Sequence, residues 1–158
     1  MSKPFKSKTY FYKTTVSLYD RHGKRKYLNS EERFHFYEQI QSTCPEKRLF
    51  FEMLFWTGAR ISEVLNLEVK DIDFTDKVAS IHCLKKRKKG TYRHIPIPEE
   101  FLEELRNYIK EKNITGGIWQ YSRRTASRYI KAAMNSCNIY GCRSSSRGLR
   151  HSLSLIHI

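Results

Sequence analysis

The sequence is poor in chain breakers, with 7 Gly and 4 Pro in 158 residues, which argues against a low-complexity or disordered chain. No run approaches the roughly 18 apolar residues of a membrane span. The first 15 residues lack the apolar stretch of a signal peptide, so a membrane partner is not expected and the expected location is cytoplasmic. In that compartment Cys44, Cys83, Cys137 and Cys142 are expected as thiols rather than disulfides. Nothing resembles a phosphate-binding Gly loop or a Ser-His-Asp set. Acid is also scarce, and unevenly so. Residues 1–29 carry eight Lys or Arg against Asp20 alone, while 82–98 carry six basics and no acid. From Ile114 onward there are seven basics and again no acid.

What is present is a core and a charge. Hydrophobic residues make up 39% and aromatics 13%, enough to bury a folded domain, and the length fits one domain or one domain with a tail. The formal charge of +14 points first to nucleic acid as partner. Confinement of all acids but Asp20 to 30–81 and 99–113 implies separate faces, some solvated and others basic and bound.

The pattern gives an α+β scaffold. Residues 1–29 read as a basic arm, in which alternation around Val16 and Leu18 before the turn-forming Asp20 to Gly23 permits a hairpin or a loose arm. Ser30 reads as the N-cap of a helix with Phe34, Phe36, Tyr37 and Ile40 as its apolar side. Pro45 opens a second helix, apolar on most of its circumference, which Gly58 stops. A short helix follows from Arg60 to Leu67, with Ile61, Val64 and Leu65 expected inside. D-I-D-F, K-V-A-S-I-H-C-L and Y-R-H-I-P-I-P then read as three short strands. Pro98 and Glu99 begin an amphipathic helix, another spans about 122–137, and Arg147 can start one more. The expected fold is mostly helical with a small three-stranded antiparallel sheet.

Three constellations can carry chemistry. In T-G-A-R-I-S-E-V-L-N-L (57–67), Gly58 permits a tight turn before Arg60, and the buried helix after it makes a rigid base for two-pronged binding of an oxyanion. The bland alternative is an i,i+3 pair with Glu63 worth a few tenths of a kcal/mol. Lys85, Lys86, Arg87, Lys88 and Lys89 form a cationic turn between two strands. It is either a solvated phosphate patch or a hairpin reaching into a groove, where one ammonium could protonate a leaving oxygen. In R-G-L-R-H (147–151), Arg147 and Arg150 share a helix face and can point at one phosphate. Arg123, Arg124 and Arg128 face outward from the 122–137 helix and suit nonspecific contacts to phosphate. Cys137 and Cys142 with His151 and His157 have a poor zinc spacing, so no metal site is assigned.

In content and order these segments resemble the tyrosine recombinase (phage integrase) family, from about Tyr27 to Ser152. T-G-A-R-I-S-E-V-L-N-L resembles the family's first arginine box. I-H-C-L-K-K-R-K-K-G-T-Y-R-H-I-P-I-P resembles its lysine-bearing β-hairpin, and R-G-L-R-H-S its second box, usually written H-x-L-R-H. The hairpin looks most like those of compact bacterial and mobile-element integrases. The resemblance implies a DNA breaking and rejoining domain acting on double-stranded DNA as a homo-tetramer, with no cofactor, metal or small-molecule ligand. It implies Arg60 and Arg150 as the clamp on the scissile phosphate and Lys86 as the acid for the leaving 5′ oxygen, with Lys88 the alternative. A Tyr attacks phosphorus and leaves a 3′-phosphotyrosyl link. Arg147 stands where the family has His or Lys, and a guanidinium hardly exchanges a proton near pH 7.

The family places its nucleophilic Tyr a few tens of residues beyond the second Arg. All ten Tyr here precede Arg147, so the expectation is a catalytic domain lacking its last helices and inactive as written. The alternative is a DNA-binding recombinase relic or regulator that is not an enzyme. The terminal L-S-L-I-H-I (153–158) resembles the translation of the transposon mosaic-end adapter used in sequencing libraries, and an ordinary apolar helix end is the other reading. On the first, the natural gene continues past about Ser152. The 29 residues of the arm are too few for the helical core-binding domain that often precedes the catalytic one in this family.

Overall fold

The computed structural model describes residues 18–84 and 90–156. The arm as far as Ser17 lies outside the described residues, and so do Lys85, Lys86, Arg87, Lys88 and Lys89. Three helices come first: α1 (Ser30–Ile40), α2 (Pro45–Thr57) and α3 (Ile61–Leu65). A 3-10 turn at Val69–Asp71 leads into β1 (Ile72–Asp73), β2 (Val78–His82) and β3 (Tyr92–Pro96). Then follow α4 (Glu99–Glu111), α5 (Arg123–Ser136), a second 3-10 turn at Gly141–Arg143, and α6 (Ser146–Ile156). The strands pair antiparallel in the order β1-β2-β3, with Ile72 opposite Ala79 and Ile81 opposite Arg93.

Helix α2 is the hub because it is apolar nearly all round. Leu49, Phe50, Phe51, Met53 and Leu54 are each at most 2% exposed, and burial of side chains of this size is worth about 1.5–3 kcal/mol each. It packs against α1, α3, α4 and α6. Gly58 ends it with φ at 60°, donating its N–H to the Leu54 carbonyl. Arg60 then stands extended as the N-cap of α3.

The caps and faces depart from the sequence pattern in three places. Asn29, not Ser30, caps α1: its Oδ1 accepts from the Glu32 N–H while Glu32 accepts from the Asn29 N–H. Phe34 is 59% exposed. Phe36 and Ile40, four apart, set the buried face, and two residues before Phe36 the helix has turned by about 200°. On α3, Glu63 takes a buried position while Leu65 is only half-buried, because Glu63 satisfies partners that an aliphatic residue could not.

From Leu18 to Leu28 the chain forms a hydrogen-bonded turn. Asp20 Oδ1 accepts from the N–H groups of His22 and Lys24, Tyr19 bridges Arg25, and the Lys26 N–H donates to the Leu18 carbonyl. Leu18 and Leu28 are buried at its two ends.

Candidate functional site

The two arginine boxes meet at one cleft of about 700 Å³, formed where α3 and the N-terminal half of α6 face each other. Lys26, Arg60, Arg123, Arg147 and Arg150 line it, together with Leu84 and His151. Glu63 is the one acid among the described lining residues, and no tyrosine is among them.

Glu63 organises the first box. Its Oε2 accepts from the Arg60 main-chain N–H at 2.8 Å and its Oε1 from Arg60 Nη1 at 3.0 Å. Arg93 Nη2 donates to Oε2 at 2.7 Å. Burial pushes this carboxyl up, but the Arg60 N–H, the Arg93 charge and the Arg60 guanidinium outweigh it and hold the group below its ordinary 4.5. The i,i+3 pair of Arg60 with Glu63 is therefore present, and it is part of the rigid base rather than an alternative to it. Arg60, which lines the cleft, keeps other N–H groups available for a ligand, whereas Arg93 stands outside the lining and its Nε is buried.

The second box sits on α6, whose first turn is closed by the Leu149 N–H on the Ser145 carbonyl and the Gly148 N–H on Ser145 Oγ. Arg147, Arg150 and His151 are spaced i, i+3 and i+4, so they share one face. Burial, then the charges of Arg60 and Arg93, weakens the hold of Arg150 on its proton, though a guanidinium stays charged at any physiological pH. Burial, then Arg150, Arg147 and Lys26, pushes the His151 imidazole below 6.5. Arg147 is exposed and makes no ion pair among the described residues.

Around the cleft, Arg123, Arg124 and Arg128 project from α5 and are exposed. With Ser127 and Lys131 they line a second, shallow groove of about 510 Å³. Arginines in the first turn of a helix oppose its dipole, so this placement favours an anion on that face.

The structure thus brings Arg60, Arg147 and Arg150 together, and sets Arg123 at the rim. Lys86 and Lys88 fall outside the described residues. Lys26 and His151 also line the cleft and Arg93 pairs with its Glu63, roles that the sequence pattern did not assign to them. Arg93 was detectable, since it alternates with Ile95 and Ile97 on the inward face of β3. Lys26 was not, because its place depends on the fold of the turn before it.

The family model for the phage integrase family matches residues 26–157. This chain belongs to the phage integrase family. Tyrosine recombinase XerA of Pyrococcus furiosus is 34% identical over 87 residues, covering 55% of this chain and 29% of that protein. Virulence plasmid integrase pGP8-D of Chlamydia muridarum is 31% identical over 108 residues, covering 68% of this integrase-family chain and 31% of that protein. The chain therefore matches about three tenths of the length of these curated relatives. The XerH site-specific recombinase bound to its palindromic difH substrate superposes with TM-score 0.73 at 17% identity, over 88% of this chain and 48% of that one. The Tn1549 transposon integrase in complex with transposon right end DNA gives 0.65 at 17%, over 87% and 54%. The likeness establishes the fold of a tyrosine recombinase catalytic domain.

Proposed function

We propose that this domain grips a DNA phosphodiester for site-specific recombination by strand breakage and rejoining. The observation that carries the reading is the convergence of Arg60, Arg147 and Arg150 on one cleft with Glu63 as its lining acid. Arg60 and Arg150 clamp the nonbridging oxygens and stabilise the charge that develops there as phosphorus is attacked. Lys86, or Lys88, delivers the proton to the leaving 5′ oxygen, and Arg147 adds charge where its relatives use a proton-exchanging group. Double-stranded DNA is the partner, and a homo-tetramer on DNA the working unit. The nucleophile in this reading is a Tyr beyond the second box.

A second reading, a DNA-binding relic or regulator, draws on Arg147 in a proton-transfer position. Duplex binding by anisotropy at about 0.1 M salt tests the shared core. Arg60→Ala and Arg150→Ala each weaken binding about tenfold or more, since hydrogen bonds to charged groups contribute about 1.5–3 kcal/mol. Losses no larger than that of Lys3→Ala would mark generic charge attraction instead. The two readings part on a suicide duplex offered to a chain extended beyond Ser152 with a tyrosine-bearing segment. A covalent adduct supports the recombinase, and retained binding without one supports the relic.

A further inference from the structure

Lys26 belongs to the segment that precedes both arginine boxes, yet it lines the cleft with Arg60, Arg147 and Arg150. Its position is built. On its two sides, Arg25 and Tyr27 face each other, with the Arg25 guanidinium 5.6 Å from the Tyr27 ring, and Lys26 between them turns to the cleft. Arg25 grips Glu32 through Nη1 at 3.0 Å and Nη2 at 3.3 Å. Arg143, in the 3-10 turn just before α6, donates through Nε at 2.9 Å to Oε1 of that carboxylate, the oxygen that Arg25 Nη2 also binds. The Cys142 thiol donates to the Arg25 carbonyl at 3.2 Å. Three distant parts of the chain therefore meet: the turn carrying Lys26, the cap of α1, and the base of the helix carrying the second box.

A lysine held among arginines suffers repulsion that water screens only in part, and an anion between them removes it. We propose that Lys26 is a further ligand of the anion bound in this cleft, placed there by the Arg25–Glu32–Arg143 clasp. The inference rests on the reading that the cleft takes a phosphodiester. It makes the segment before the first box part of the site rather than a tether to it.

The test is an NMR titration of the intact chain with inorganic phosphate, following the His151 imidazole, its signal assigned by its loss in His151→Gln. In the wild type, phosphate produces a saturable shift, which Arg150→Ala abolishes. Lys26→Met, which keeps the aliphatic stem, weakens phosphate binding about tenfold, and without phosphate it lets the His151 pKa rise. Lys26→Arg restores most of the affinity, and Lys24→Ala, at an exposed position outside the cleft, changes nothing. Glu32→Gln weakens phosphate binding with Lys26 still present. Unchanged affinity in Lys26→Met alongside loss in Arg150→Ala overturns the role of Lys26 and leaves the phosphate cleft standing. Unchanged affinity in Glu32→Gln overturns the clasp. Absence of any saturable shift in the wild type overturns the reading of the cleft, and this inference with it.

Discussion

At the scale of the residue, two buried glutamates show how partners decide a charge. Glu52 is 3% exposed, and burial raises its carboxyl despite the hydrogen bond from Gln41. Glu63 is 1% exposed and is lowered, because two arginines and a main-chain N–H converge on it. A carboxyl depressed in the folded state contributes stability that is complete above the unfolded value of 4.5 and disappears as pH falls through the folded value. Glu63→Gln should therefore cost about 2 kcal/mol at pH 7, less than for a fully buried pair because both arginines are partly solvated. It should also reduce the loss of stability between about pH 5 and pH 3, as urea unfolding at several pH values would read. Undiminished acid sensitivity would place that loss elsewhere. The sequence made Arg60 legible, since a turn glycine and a buried helix flank it. Arg93 was obscured by its neighbours: beside five consecutive basics, a sixth reads as more of the same surface charge, and only strand alternation separates it.

At the scale of the element, α6 depends on a residue with no side chain. A Cβ at Gly148 would run into the carbonyl of Arg143 and the backbone beside it, so the helix can approach the preceding 3-10 turn only with glycine there. Elsewhere in a helix Gly→Ala stabilises by up to about 1 kcal/mol. Here Gly148→Ala should instead destabilise by about 1–3 kcal/mol, the range for overpacking, and weaken DNA binding by displacing Arg147 and Arg150. A raised melting temperature would contradict this. Gly58 differs: its added Cβ would meet Leu153 Cδ1, the end of a movable side chain, but its φ of 60° still disfavours any L residue. Helix limits marked by Pro45, Gly58 and Pro98 were legible because these residues act locally. The face of α1 was less so, since Phe34 is as apolar as Phe36 and only the packing of α1 on α2 decides which is covered. The turn at 18–28 needed partners in α1 and in the 3-10 turn before α6, more than a hundred residues away in sequence.

At the scale of the whole molecule, the charge of +14 separates into two populations. Arg123, Arg124 and Arg128 stand exposed on α5, whereas Arg60 and Arg150 are half-buried against the cleft. If the α5 arginines meet phosphates, replacing them with Ala should lower the slope of log affinity against log salt by about 0.9 for each phosphate they neutralise. Anisotropy between about 50 and 200 mM salt measures it, and an unchanged slope would remove α5 from the interface. The order of helices and strands was legible because each element has its own period, whereas the meeting of the two boxes was legible only through the family resemblance, because nothing local joins residue 60 to residue 150. That meeting bears on more than charge. A free arginine gives up roughly 1.5–2 kcal/mol of rotamer freedom when it is pinned. Glu63 fixes Arg60 and Arg93 while the protein folds, so much of that ordering is complete before any ligand arrives. Arg147, held by no carboxylate among the described residues, keeps its mobility until then. An anion taken up in the cleft, as proposed, would meet Arg60 already pinned by Glu63 and Arg147 still to be ordered.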